Sequence, residues 1–165
     1  MSFFDEKKIQ GQLQADREKE SRERADRIAA ERSYAAFAKA VAPEMEQALA
    51  EFPQVARRMG KPIHREELSY FHLRRSGWQI GSVMTREDNG IAWRQIELYV
   101  APGGALYKRD ARVGSTSDEM ERIDRRRAIE LLTRKLWQRA KEPAPGTYEP
   151  KQIVEGYFFT ILGVK

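Results

Sequence analysis

Residues 77–110 read GWQIGSVMTREDNGIAWRQIELYVAPGGALYKRD, and their pattern decides the fold class. Two apolar-rich runs, 78–85 and 91–101, flank Asp88-Asn89-Gly90, and the second leads through Pro102-Gly103-Gly104 into a third run over 105–108. Both gaps carry turn chemistry. Asn89 and Gly90 tolerate positive φ, Pro102 presets φ at about −65°, and the paired glycines let the chain reverse. The spacing predicts three antiparallel strands. Alternation puts Ile96, Leu98 and Val100 on one face, read as the core face, and Trp93, Glu97 and Tyr99 on the other.

Upstream, residues 62–76 fit two patterns. Leu68, Tyr70 and His72 alternate as a strand would, while Leu68, Phe71 and His72 also share a helical face. We read a first strand here, hairpinned to Trp78 through Arg75-Ser76-Gly77. Before it, Tyr34, Ala38, Val41, Met45, Ala48, Phe52, Val55 and Met59 step by four and three alternately, and Phe37 and Leu49 widen that seam into the stripe of a helix lying on a core. The stripe, over 34–59, can cover either the chain's own sheet or a second copy of itself. The sheet is the nearest surface that needs a cover. Pro43 and Pro53 each remove a backbone donor, so a kink or break is expected near Ala42 and another near Phe52. Gly60 supplies the stop, with Arg57 and Arg58 in the last turn where the helix dipole favours cations.

Residues 1–33 are of another kind. Between Asp5 and Arg32 eight acids interleave with eight bases, and residues 14–24 hold a single apolar side chain, Ala15. Glu20 with Arg24 and Glu23 with Arg27 stand at the spacing that supports an exposed helix, each pair contributing only about 0.2–0.5 kcal/mol. We read a solvent-facing helical arm that something outside the chain supports.

Downstream of the strands, Thr116 and Glu119 stand at capping-box spacing, and a second helix is expected over 117–141. Its Ile129, Leu132, Leu136 and Ala140 form one stripe, while Arg122, Arg125 and Arg126 lie on another side. Glu142-Pro143-Ala144-Pro145-Gly146 ends it and opens a linker over 142–150. The tail, 151–165, is rich in β-branched and aromatic residues, which favours a docked edge strand, with a short helix as the runner-up. The fold class is therefore α+β: an antiparallel meander of three to five strands over about 63–110 packed against an amphipathic helix, a second helix near the C-terminus, and the arm. Residues 34–165 form the single domain.

Composition narrows the chemistry. At 165 residues, 41% apolar and 33% charged, the chain suits one domain with a core plus an extended appendage. Without cysteine it has no disulfide, thiolate nucleophile or Cys-ligated zinc. Ser2-Phe3-Phe4 runs straight into Asp5-Glu6-Lys7-Lys8 with no apolar leader, and the apolar cluster 157–164 is too short to span a bilayer. A cytoplasmic protein that does not insert in membranes is expected. The two histidines, His64 and His72, are eight apart, which is not the spacing of a helical zinc pair, so no metal site is assigned. Pro102-Gly103-Gly104 joins two strands, so it is a hairpin turn and not a phosphate loop, and Glu87 with Asp88 is accounted for as turn residues. No cofactor and no small-molecule ligand is inferred.

These observations point to a non-catalytic protein-binding or adaptor module. Its partner is another protein or a second copy of itself, captured by Phe3, Phe4, Ile9 and Leu13 on the arm together with the apolar tail. The net charge of +5 and pI of about 9.5 support a different reading, nucleic-acid binding through Arg74, Arg75, Trp78, Arg122, Arg125 and Arg126. A third is an enzyme using Glu97, Trp93 and His72 on the outer sheet face.

Overall fold

The computed structural model describes residues 5–66, 75–86, 93–110 and 120–164. The first element, α1, is a single α-helix over Glu6–Arg58, opened by Asp5, whose carboxylate accepts from the amides of Lys7 and Lys8. It passes through Pro43 and Pro53 without the expected interruption. Each proline costs the helix about 3 kcal/mol. Phe37, Val41, Met45, Leu49, Phe52 and Ala56, which lie on both sides of them, are all buried, and large apolar side chains stabilise by about 1.5–3 kcal/mol each. Packing outweighs the lost hydrogen bonds. Gly60, at φ +63°, ends the helix, and the amide of Lys61 reaches back to the carbonyl of Ala56.

The buried seam is rotated from the heptad read in the sequence. Phe37 and Leu49 sit at its centre, Tyr34, Ala38, Ala48 and Val55 at its margins, and Met59 is exposed. Its cover is also broader than a sheet. Phe37 packs its ring against Trp137 at 5.1 Å and Tyr148 at 5.2 Å, and Phe52 meets Phe158 at 5.6 Å and Trp78 at 6.2 Å.

Among the described residues five antiparallel strands follow in sequential order: β1 (His64–Glu66), β2 (Arg75–Arg86), β3 (Trp93–Val100), β4 (Leu106–Asp110) and β5 (Met120–Ile123). β2 to β5 make one ladder, and β1 pairs only with the start of β2, His64 opposite Gly77 and Glu66 opposite Arg75. Arg75-Ser76-Gly77 is thus strand and not the expected turn, because β1 needs those residues as ladder partners. Between β3 and β4, Pro102 and Gly103 form a turn closed by the Gly104 amide on the Ala101 carbonyl at 2.8 Å, with Gly104 at φ +89°. A glycine in that conformation after a tight turn matches the twist of the flanking strands. Ile96, Leu98 and Val100 are buried on the helix-facing side, as their alternation implies.

The segment expected to start the second helix is β5, with Leu106 opposite Ile123 and Lys108 opposite Glu121. The capping-box pair Thr116 and Glu119 lies outside the described residues. The helix itself, α2, spans Arg125–Arg139 and is capped by Asp124, whose carboxylate accepts from the Arg127 amide at 2.7 Å. The ladder with β4 and the cap at Asp124, eight residues beyond Thr116, displace the start.

The tail is not an edge strand. Residues Pro150–Leu162 form a third helix, α3, with Pro150 in its first turn and Gly163 at φ +71° closing it. Val154, Tyr157, Phe158 and Leu162 are buried, a spacing of three and four that only a helix directs to one side. α1, α2 and α3 pack together over the inner sheet face and share one core with it.

Helices and sheet approach closely at Gly81. The β2–β3 register shifts between Gln79 and Gly81, and the Tyr157 hydroxyl donates to the carbonyl of Ile80 at 2.6 Å. A Cβ on Gly81 would stand 2.5 Å from that hydroxyl oxygen and 3.1 Å from Leu132 Cδ2. Gly81→Ala should therefore destabilise the fold by about 1–3 kcal/mol in chemical denaturation; an unchanged midpoint would contradict this packing. Burial also pushes the Tyr157 hydroxyl up to about 12, slightly opposed by the Arg139 charge. The folded state holds the proton that the unfolded chain releases near its ordinary value of 10, so this contribution is complete below pH 10 and lost as pH rises towards 12. Stability should fall across that window more steeply for the wild type than for Tyr157→Phe.

Candidate functional site

Every residue from Asp5 to Arg32 is exposed, so the N-terminal half of α1 stands free of the body. At about 1.5 Å per residue, residues 6–33 extend roughly 40 Å. Its helical contacts are local: Gln12 donates to Asp16, Gln14 to Glu18, and Lys19 stands 3.9 Å from Glu23. Of the four arm residues singled out as contacts, Ile9 and Leu13 lie one turn apart near its far end and are 45% and 52% exposed. Phe3 and Phe4 lie outside the described residues. No helix among the described residues is long and apolar enough to cross a membrane.

Of the six residues proposed for nucleic acid, Arg122 and Arg125 line one shallow groove beside Gly104 and Leu106, while Trp78 and Arg126 lie elsewhere. Trp78 is 3% exposed, its indole N–H donates to the Lys61 carbonyl at 3.0 Å and its ring meets Phe52, so it offers no face for stacking. Arg122 lies on β5 opposite Tyr107, while Arg125 pairs with Glu46 at 2.8 Å from the start of α2. Arg126 is exposed and stands 3.5 Å from Glu130. Arg75 begins β2, and Arg74 lies outside the described residues. Of the three arginines expected on one helix, Arg122 belongs to the strand Met120–Ile123, and only Arg125 and Arg126 lie on α2.

A different arginine and aromatic set does converge. A groove of about 950 Å³ opens between α1, α2 and the far end of the β2–β3 pair. On its sheet side, Arg86 and Trp93 are cross-strand partners, and the guanidinium lies 5.1 Å from the indole centroid. On its helix side, Arg134 lies 5.2 Å from the ring centroid of Tyr34, which also meets Trp137 edge-on at 5.6 Å. Arg126 and Arg127 reach the same groove and share the Glu130 carboxylate. Burial raises the Tyr34 hydroxyl above its ordinary value, with Arg134 opposing and Glu130 reinforcing the shift. Lys135, which donates to the Ser82 carbonyl, is lowered by burial and then by the Arg139 charge. The set was legible only in part. Trp93 stood out on the outer face, but its pairing with Arg86 needs the register, and Tyr34 was counted as core.

A second, smaller groove of about 290 Å³ runs between α1 and α3, floored by Phe52, Val55 and Phe158 and rimmed by Glu44, Glu51 and Glu155. On the outer sheet face, Glu97 is engaged rather than free: it accepts from the Tyr99 hydroxyl at 2.7 Å and from Arg109 Nε at 2.9 Å. Trp93, four residues away on the same strand, belongs to the large groove instead, and His72 lies outside the described residues. Glu97 and Trp93, two of the three residues proposed for catalysis, thus stand in separate surroundings. Comparison with protein-family models, curated proteins and solved structures finds no match for this chain.

Trp93 is 57% exposed and Trp78 is shielded. Replacing Trp93 by Phe should therefore remove most of the acrylamide-quenchable tryptophan emission, whereas Trp78→Phe should leave it in place. Equal quenching losses in the two variants would contradict this geometry.

Proposed function

We propose that this chain is a non-catalytic protein-binding module whose arm is the contacting element. One observation carries the reading: a helix of roughly 40 Å with every side chain exposed, ending near a pair of apolar residues, Ile9 and Leu13, that nothing in the body covers. Acids and bases balance along the arm, so it suits a surface of mixed charge and not a strongly charged one. A helix that lays two neighbouring apolar side chains into a partner's groove gains affinity from their burial, with flanking charges setting register. Such a partner is another protein or a second copy of the chain, and the absence of cysteine suits a reducing, cytoplasmic setting.

Ile9→Asp combined with Leu13→Asp tests this in the full chain. Both positions are solvent-facing, so thermal unfolding of the body should change little, while partner affinity should fall about tenfold or more. Light scattering across protein concentration reads self-association. Capture from nuclease-treated native lysate, wild type against variant, reads a different protein. Loss of a wild-type dimer, or of a partner held only by the wild type, supports the arm as the contact. A variant indistinguishable from wild type in both measurements refutes it.

A further inference from the structure

We infer that the groove between α1, α2 and the far end of β2–β3 is a binding site for single-stranded nucleic acid, independent of the arm. The inference rests on what the groove presents, two arginine–aromatic pairs and an excess of positive charge. Trp93 is more than half exposed with Arg86 against its ring, and Arg134 lies against Tyr34 on the opposite wall. Among the described residues no carboxylate pairs with Arg86 or Arg134. Arg126 and Arg127 share one acid, Glu130, and Glu46 at the groove's edge is engaged by Arg125. Among the described residues the pairs leave about three positive charges uncompensated along one open channel, and such a channel tracks a phosphate backbone.

The aromatic faces select the class of ligand. Backbone phosphates alone would be served by the arginines, as would the carboxylates of an acidic peptide. An exposed indole flanked by a guanidinium adds planar surfaces on which an unpaired base stacks, and stacking of this kind tolerates any base. A duplex keeps its base faces internal and could not use them. The groove's length across two helices and a strand pair suits several nucleotides of an extended strand.

The probe is a fluorescein-labelled dT 20-mer read by anisotropy. Binding is expected at 50 mM salt and should weaken about twentyfold by 200 mM, since three released counterions give a log–log slope of about −2 on single strands. Trp93→Ala should weaken binding about tenfold, and Trp93→Phe, which keeps a ring, should stay within about threefold of wild type. Arg86→Gln with Arg134→Gln should flatten the salt slope by about 1.4. Polyglutamate of matched charge should displace the oligonucleotide poorly. The Ile9→Asp, Leu13→Asp variant should bind dT as the wild type does, which separates this site from the arm. No anisotropy change at 50 mM salt, Trp93→Ala binding as tightly as wild type, or polyglutamate competing as well as unlabelled dT would each overturn the inference, the last by making the groove a face for acidic protein.

Discussion

Starting a helix costs far more than extending one, and in α1 the two tasks fall to different residues. The turns from Phe37 to Ala56 are packed against α2, α3 and β2, so their backbone is ordered by burial. From that nucleus the chain extends towards its N-terminus one residue at a time, each step adding a hydrogen bond, with Asp5 closing the far end. Weak local pairs suffice for propagation. The arm is thus one continuous helix with the segment that the body orders. It holds Ile9 and Leu13 far from the body and uncovered.

The body depends on a second constraint, the close seating of helices on the sheet. Gly81 presents no side chain where Leu132 of α2 and Tyr157 of α3 converge, and the register shift beside it turns the Ile80 carbonyl to the Tyr157 hydroxyl. One missing methyl group and one hydrogen bond thus set the height of two helices above β2. That height, with the twist of the strands, leaves the far end of β2–β3 beyond α2 and opens the large groove between them. Arg86 and Trp93 are brought together by strand register, and Arg134 and Tyr34 by the packing of α2 on α1.

Much of the fold was legible because it follows from local chemistry. The turn at Pro102-Gly103-Gly104, the alternation of Ile96, Leu98 and Val100, the stop at Gly60 and the charged arm each rest on a few adjacent residues. Misreadings arose where two local signals competed. The tail's aromatic and β-branched content suggested a strand, yet Pro150 at its start and Gly163 at its end are helix punctuation, and the burial of Val154, Tyr157 and Leu162 follows that punctuation. Thr116 with Glu119 looked like a helix start, while Asp124 was the cap in use. The prolines of α1 were weighed by their local cost alone, and the packing that outweighs it is not local.

Sequence by itself determined the class of the protein: the antiparallel strands, the helix that covers them and an arm too polar to join any core, since hydrophobic period and turn chemistry are properties of neighbouring residues. Tertiary structure alone decided that α1 stays unbroken, that the tail is a helix, and which side chains face outward together. Arg86 with Trp93 and Arg134 with Tyr34 meet across elements distant in the chain, and Trp78, which reads like a stacking residue, is withdrawn into the core. Such choices depend on the summed burial of the whole molecule, and no window of sequence contains that sum.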